Sequence, residues 1–122
     1  MSDKEHIHTI LLVDDDNAVR RLCRIILEQA GFAVIEADSA ESALKLWATW
    51  SESIDLLVTD YHMMGLTGLQ LAVSLRSSRP NLGVLLISGG AIRESVPAFV
   101  VFLAKPFVPS QLTQAVSRAL AS

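Results

Sequence analysis

The chain has 122 residues, of which 51% are apolar, and its formal net charge is −3 at neutral pH. This length suits one domain and this apolar content can build a core, so the composition argues against a largely disordered chain. The basic residues are scattered, which argues against direct contact with nucleic acid. No stretch reaches the roughly 18 apolar residues of a membrane span. We therefore expect a single cytoplasmic domain over residues 1–122, with a polar tail over about 1–8.

Short apolar runs alternate with segments of helical periodicity along the chain. The runs that predict strands are 10–13, 32–37, 56–59, 83–87 and 100–104. Residues able to cap a helix stand before three of the periodic segments, at Asp16, Ser39 and Thr67. Thr67 also forms a capping-box pattern with Gln70. A last helix is predicted to begin near Pro109, so each predicted strand but the fourth is followed by a clear helix.

This alternation predicts an α/β fold with a mostly parallel sheet covered by helices on both faces. The connection between the fourth and fifth strands departs from the pattern. It begins with two glycines and meets Pro97, which leaves only residues 91–96 for a helix. We expect one or two turns there, or an irregular connection. In folds of this kind the functional site lies at the carboxyl ends of the strands.

Polar residues stand at those strand ends. Asp14 and Asp15 follow the first strand, Asp60 the third, Ser88 the fourth and Lys105 the fifth. Three carboxylates brought together repel one another, which raises at least one pKa or requires a cation. Mg²⁺ prefers such oxygen ligands, and the lysine adds a second positive charge. A metal ion, an ammonium and a hydroxyl around a carboxylate suit phosphoryl transfer to that carboxylate.

Four segments resemble the receiver domain of two-component response regulators, namely ILLVDDDNAVR, LLVTDYHMMGLTG, LLISG and FLAKPF. Each is weak alone, but the four in this order are specific and cover essentially the whole chain. The resemblance implies a flavodoxin-like (βα)5 fold, a three-layer sandwich with a five-stranded parallel sheet. The fourth helix should be short or irregular, which is similar to receivers attached to hybrid histidine kinases.

The resemblance also implies a role for each residue at the strand ends. Asp60 would be the phosphoacceptor. Asp14 and Asp15 would hold Mg²⁺ or Mn²⁺ together with Asp60 and the backbone carbonyl of His62. Lys105 would contact the phosphoryl group.

Further residues match the switch that the family uses. Ser88 matches the hydroxyl that turns toward the phosphoryl group, and Phe102 matches the aromatic residue that changes rotamer with it. The bond between Lys105 and Pro106 is expected to be cis. Met64 stands where the family usually has proline, so we expect a less rigid loop after the phosphoacceptor.

The function that the resemblance implies is that of a phosphoacceptor and not of a turnover enzyme. The chain would take a phosphoryl group from a histidine kinase or a histidine phosphotransfer protein. It would signal to a downstream protein through a changed surface, without contacting nucleic acid or a membrane. Phosphorylation could also produce a homodimer through residues 91–103 and the last helix.

The sequence leaves two alternative functions open. One is a pseudo-receiver, a binding module that uses this fold without phosphorylation. The other is a haloacid-dehalogenase-like phosphatase, since ILLVDDDNAV resembles its opening motif, with Asp14 as nucleophile and Asp16 as acid. That enzyme would leave Asp60 unexplained, and no second acidic pair follows late in the chain to bind Mg²⁺.

Two histidines precede the first predicted strand. His6 and His8 are separated by one residue, a spacing that can indicate a metal-binding pair. In a polar segment such histidines are more often solvated, and we expect that here.

Overall fold

The structure is a computed structural model and describes residues 6–92 and 94–121. Its strands are β1 (Thr9–Val13), β2 (Ala33–Ala37), β3 (Leu56–Asp60), β4 (Gly83–Ser88) and β5 (Val100–Ala104). Its helices are α1 (Asn17–Gln29), α2 (Ala40–Trp50), α3 (Gly68–Ser78) and α4 (Pro109–Ala121). The strands form one sheet in the order β2-β1-β3-β4-β5, and all four pairings are parallel. This is the α/β architecture that the alternating pattern predicts.

Three helices begin at the residues that the sequence identifies as caps. The side chains of Asp16 and Ser39 each accept hydrogen bonds from backbone N–H groups in the first turn of α1 and α2. Thr67 and Gln70 form a complete capping box at the start of α3. These bonds satisfy N–H groups that have no partner within the helix. They hold the turn that follows each strand at the carboxyl edge of the sheet.

The core lies on both faces of the sheet because alternate strand residues point to opposite sides. Ile10 and Leu12 of β1 pack with buried residues of α1 and α4. Leu11 and Val13 pack on the other face with residues of α2 and α3. The result is three layers, with β3 buried along its whole length at the centre. None of the helices in the described part of the chain is long and apolar enough to cross a membrane.

The connection between β4 and β5 is irregular, as the glycines and the proline predict. Its described residues, 89–92 and 94–99, form bends and turns without a helix. Val100 and Phe102 lie on one face of β5. Val100 packs against the core, but Phe102 is 44% exposed. Val101 and Leu103 on the opposite side pack with the cluster that includes α4. The edge strand β5 is therefore well covered on one face only.

Candidate functional site

The carboxyl edge of the sheet brings together the residues that the sequence predicts for the site. Asp60 is the last residue of β3 and Ser88 the last of β4, while Asp14 and Lys105 directly follow β1 and β5. Oxygen atoms of Asp14, Asp15 and Asp60 lie within 4.8 Å of one another. Parallel strands end at one edge, so four separate segments deliver their polar residues to one place.

The ammonium group of Lys105 lies between two of these carboxylates. Its Nζ is 3.1 Å from Oδ1 of Asp60 and 3.8 Å from Oδ2 of Asp14. Burial alone would lower the pKa of Lys105, but the hydrogen bond to Asp60 and the charges of Asp60 and Asp14 outweigh it and raise the pKa. The backbone N–H of Lys105 donates to the carbonyl of Ser88 at 2.9 Å, and the Lys105–Pro106 bond is cis. The lysine is thus charged and held at the carboxylates.

Burial makes the charged form of Asp14 unfavourable. Its side chain is buried, and burial raises its pKa more than the hydrogen bond from the backbone N–H of Asp16 lowers it. That bond joins the Asp16 nitrogen to Oδ1 of Asp14 at 2.9 Å. The charge of Asp60 raises the pKa further, and Lys105 opposes it. An added cation beside Asp14 would therefore relieve a cost built into the fold.

An arginine that sequence reasoning missed forms a hydrogen bond to the backbone of Asp14. Arg20 of α1 donates from Nη1 to the backbone carbonyl of Asp14 at 2.7 Å. Its Nε donates to Oε1 of Glu36 in β2 at 3.0 Å. Arg24, one turn later, pairs with the same carboxylate. The sequence offered only a weak signal for this role, namely a basic residue in the first turns of the helix that follows Asp14.

Ser88 is buried, and its hydroxyl takes part in a local turn. Its Oγ donates to the carbonyl of Gly90 at 2.9 Å and accepts from the Gly90 N–H at 3.2 Å. In the register of the sheet, Phe102 pairs with Leu86, two residues before Ser88. The predicted switch residues thus lie on adjacent strands, and the hydroxyl is engaged with the β4–β5 connection.

The start of α3 packs directly on the backbone of Asp60. The N–H of Gly68 donates to the carbonyl of Tyr61 at 3.0 Å. A Cβ atom on Gly68 would lie only 2.1 Å from the carbonyl oxygen of Asp60. Glycine is therefore required for this approach. Met64, in the intervening loop, is 88% exposed, and the less rigid loop expected from the missing proline stays a prediction.

Comparison with known proteins agrees with this geometry. The family model of the response regulator receiver domain matches residues 10–117. The response regulator protein FleR of Pseudomonas aeruginosa is 36% identical over 114 residues, which cover 89% of this chain and 24% of that protein. A response regulator receiver protein from Sinorhizobium medicae superposes with a TM-score of 0.86 at 33% identity, covering 96% of this chain and 97% of that one.

A hybrid-kinase receiver is also similar in structure. The receiver domain of the hybrid histidine kinase CckA superposes with a TM-score of 0.80 at 33% identity, over 92% of this chain and 98% of that one. The class of protein is defined by a doubly wound five-stranded parallel sheet whose carboxyl edge carries an acidic pocket formed by Asp14, Asp15 and Asp60. The chain belongs to the response regulator receiver domain family. The chain spans between 19% and 26% of the length of the first curated relatives that it matches.

Proposed function

We propose that the chain is a phosphoacceptor of a two-component system, phosphorylated on Asp60. The donor is a histidine kinase or a histidine phosphotransfer protein. The observation that carries the proposal is the contact of the Lys105 ammonium with Oδ1 of Asp60 at 3.1 Å. A lysine in this place neutralises charge on the oxygens of a phosphoryl group as it arrives at the carboxylate.

In this proposal Asp60 acts as the nucleophile. A carboxylate oxygen of Asp60 attacks the phosphorus of the donor's phosphohistidine, and an acyl phosphate bond forms as the phosphorus–nitrogen bond breaks. The imidazole leaves with the electron pair and takes a proton from solvent. The side chain of Asp60 is fixed by the end of β3 and by its contact with Lys105. The chain thus positions the nucleophile and a positive charge beside it.

The acidic pocket fits Mg²⁺ or Mn²⁺. Its donors are the hard carboxylate oxygens of three acids, and burial together with the charge of Asp60 raises the pKa of Asp14. Asp14, Asp15, Asp60 and the backbone carbonyl of His62 would hold the ion. When bound, the ion supplies positive charge to the phosphoryl oxygens.

Phosphorylation would be signalled by a change in the protein surface around the β4–β5 connection. On phosphorylation, the hydroxyl of Ser88 exchanges its bonds to Gly90 for one to the phosphoryl group. The connection then rearranges, and Phe102 follows by changing rotamer. A downstream protein, or a second copy of the chain through residues 91–103 and α4, recognises the new surface. Residues 1–122 act as one receiver domain in the cytoplasm, with no direct contact to nucleic acid.

The test is phosphorylation by acetyl phosphate and Mg²⁺, followed by intact mass. One phosphoryl group should add to the wild type and to a Glu52→Gln control, in which an exposed carboxylate becomes an amide. Asp60→Asn should take up none. No adduct on any protein, with no binding of beryllofluoride, would favour the pseudo-receiver. An adduct that survives in Asp60→Asn would move the nucleophile to Asp14, and turnover of phosphomonoesters that depends on Asp14 would favour the phosphatase.

A further inference from the structure

The opposite edge of the sheet carries a second cluster of possible metal ligands. Ligand atoms of His6, His8 and Asp55 lie within 4.8 Å of one another. Asp55 precedes β3 and Asp60 ends it, so the two clusters are separated by the length of that strand, about 17 Å. This cluster therefore has no part in the phosphoacceptor site.

The sheet itself brings Asp55 to the two histidines. The N–H of Asp55 donates to the carbonyl of Thr9 at 2.8 Å, and the Thr9 N–H donates to Oδ2 of Asp55 at 2.8 Å. On the other side, the N–H of Ala33 donates to the carbonyl of His8 at 3.0 Å. His8 is thus held between β2 and the residue before β3. His6, two residues earlier, returns to the same side of the extended segment, and the two rings meet edge to face with centroids 4.5 Å apart.

One ring nitrogen of His8 lacks an ordinary partner. Nδ1 is buried and accepts or donates no hydrogen bond within the described ranges 6–92 and 94–121. It lies 3.6 Å from Oδ2 of Asp55, which is too long for a hydrogen bond. The His8 side chain as a whole is 41% exposed, as expected for a solvated histidine, but its Nδ1 atom is not exposed. A buried nitrogen without a partner is costly, so another group should satisfy it.

The distance between Nδ1 of His8 and Oδ2 of Asp55 matches the distance between two ligand atoms on one tetrahedral ion. Ligand atoms about 2.1 Å from Zn²⁺ at tetrahedral angles lie about 3.4 Å apart, close to the 3.6 Å between Nδ1 of His8 and Oδ2 of Asp55. The Thr9 N–H that donates to the same oxygen would orient the carboxylate in the way that outer-shell partners orient metal ligands. Both features arise from the pairing of β1 with β3.

We propose that His6, His8 and Asp55 bind a divalent transition-metal ion of the Zn²⁺ type. Two imidazoles and one carboxylate suit Zn²⁺, Ni²⁺ or Cu²⁺, whereas Mg²⁺ prefers the oxygen-only pocket at the other edge. Three protein ligands leave the fourth position of a tetrahedral ion to water. The bound ion joins the segment before β1 to the loop before β3 and adds its binding free energy to the stability of the fold.

The experiment is a titration with Zn²⁺ alone, read by calorimetry and by the NMR signals of the histidine rings. The chain has three histidines, and the third, His62, lies beside the acidic pocket, so its ring reports zinc bound there. We expect one ion to bind at this cluster, with joint shifts of the His6 and His8 signals. Excess Mg²⁺ should not displace it, and the melting temperature should rise.

Single-residue variants distinguish a zinc site from side chains that lie close together without binding an ion. Loss of an outer-shell partner alone weakens metal binding about 10–100-fold, so His6→Ala and His8→Ala should each weaken zinc binding about tenfold or more. Asp55→Asn should do the same while it keeps an oxygen for the Thr9 N–H. Glu41→Gln, which removes an exposed carboxylate of α2, is the control and should bind zinc at the N-terminal edge as the wild type does.

Two results would overturn the proposal. One is a zinc-dependent shift confined to the His62 signals, which would place the ion in the acidic pocket. The other is unchanged affinity in His6→Ala, which decides the matter even if His8→Ala fails to fold, because His6 is exposed and precedes β1. Failure of phosphorylation on Asp60 would leave this proposal untouched, since the two sites share no residue.

Discussion

Lys105 reaches Asp60 across an intervening strand. Asp60 ends β3 and Lys105 follows β5, with β4 between them, yet Nζ of Lys105 lies 3.1 Å from Oδ1 of Asp60. Two strand spacings amount to about 9.6 Å, which only a long side chain can bridge. A shorter residue at position 105 would leave Asp60 without its neighbouring positive charge.

Lys105→Met should therefore slow phosphorylation of Asp60 while leaving the fold intact. Removal of one preorganised charge-stabilising group typically lowers a rate by about 10²-fold or more. The measurement is the rate at which acetyl phosphate adds mass to the protein. Lys45→Met, which removes an exposed lysine of α2, is the control. Equal rates for Lys105→Met and wild type would contradict the role given to Lys105.

Asp14→Asn should raise the melting temperature at neutral pH in the absence of divalent ions. Burial raises the pKa of Asp14 above its ordinary value of 3.8, so the folded state binds the proton more tightly than the unfolded state. The contribution of Asp14 to stability accordingly falls as the pH rises from about 3.8 through the raised pKa, and this cost remains at higher pH. The amide removes that cost.

The same variant should bind Mg²⁺ more weakly, so added Mg²⁺ should stabilise it less than the wild type. Thermal melts across a pH series, with and without Mg²⁺, measure both effects. Asp38→Asn serves as the control because Asp38 is exposed. A lower melting temperature for Asp14→Asn than for wild type in metal-free buffer would contradict the account of its burial.

Gly68→Ala should both destabilise the protein and disturb the position of Asp60. The new Cβ would lie 2.1 Å from the carbonyl oxygen of Asp60, so α3 must move away from β3. Overpacking of this kind costs about 1–3 kcal/mol, measured by urea unfolding. In Gly89→Ala the nearest atom to the new Cβ is 3.5 Å away, an ordinary contact, and this control should unfold near the wild-type midpoint.

Arg20→Met should weaken Mg²⁺ binding although Arg20 is not among the proposed ligands. Its guanidinium donates to the Asp14 carbonyl at 2.7 Å and to Glu36 at 3.0 Å, so it positions the backbone of an acid that we propose as a metal ligand. Outer-shell changes typically cost about 10–100-fold in metal affinity, which calorimetry can measure. Arg21→Met, at the next and exposed position of α1, should bind Mg²⁺ as the wild type does. A fall in melting temperature without a change in Mg²⁺ affinity would assign Arg20 to stability alone.

The thiol of Cys23 should resist alkylation in the native protein. Burial, with a smaller effect from the charge of Asp14, raises the pKa of Cys23 to about 11. Little thiolate exists at pH 8, and the thiol lies in the core beneath α1. Iodoacetamide labelling should be slow until urea unfolds the chain. Rapid labelling of the folded protein at pH 8 would show that the cluster beneath α1 opens readily.

Much of the fold followed from local sequence signals. The caps at Asp16, Ser39 and Thr67 were predictable because a cap depends on residues within one turn. The polar residues after the strands were predictable as a group because parallel strands end at one edge. The family resemblance then supplied the roles of Asp60 and Lys105, which remain proposals.

Contacts that depend on strand order could not be read from the sequence. Thr9 meets Asp55 across 46 positions because β1 lies between β2 and β3, and the placing of β1 in the sheet is a property of the whole fold. The bond from Arg20 to Asp14 depends on how α1 leaves the sheet. Both contacts involve common residue types whose periodicity gives no hint of a partner.

The residues of the acidic pocket are carried by strands that differ in burial, so they are not held equally firmly. Asp60 stands on β3, which is buried throughout, whereas Lys105 follows β5, an edge strand with exposed side chains at Phe102 and Ala104. Edge segments open at a lower free energy than central ones. Partial detachment of β5 would withdraw the ammonium and leave the carboxylates to repel one another, while the rest of the molecule stays folded. Amide hydrogen exchange in β5 would then report how often the pocket is complete, and competence to receive a phosphoryl group would follow that equilibrium and not global stability.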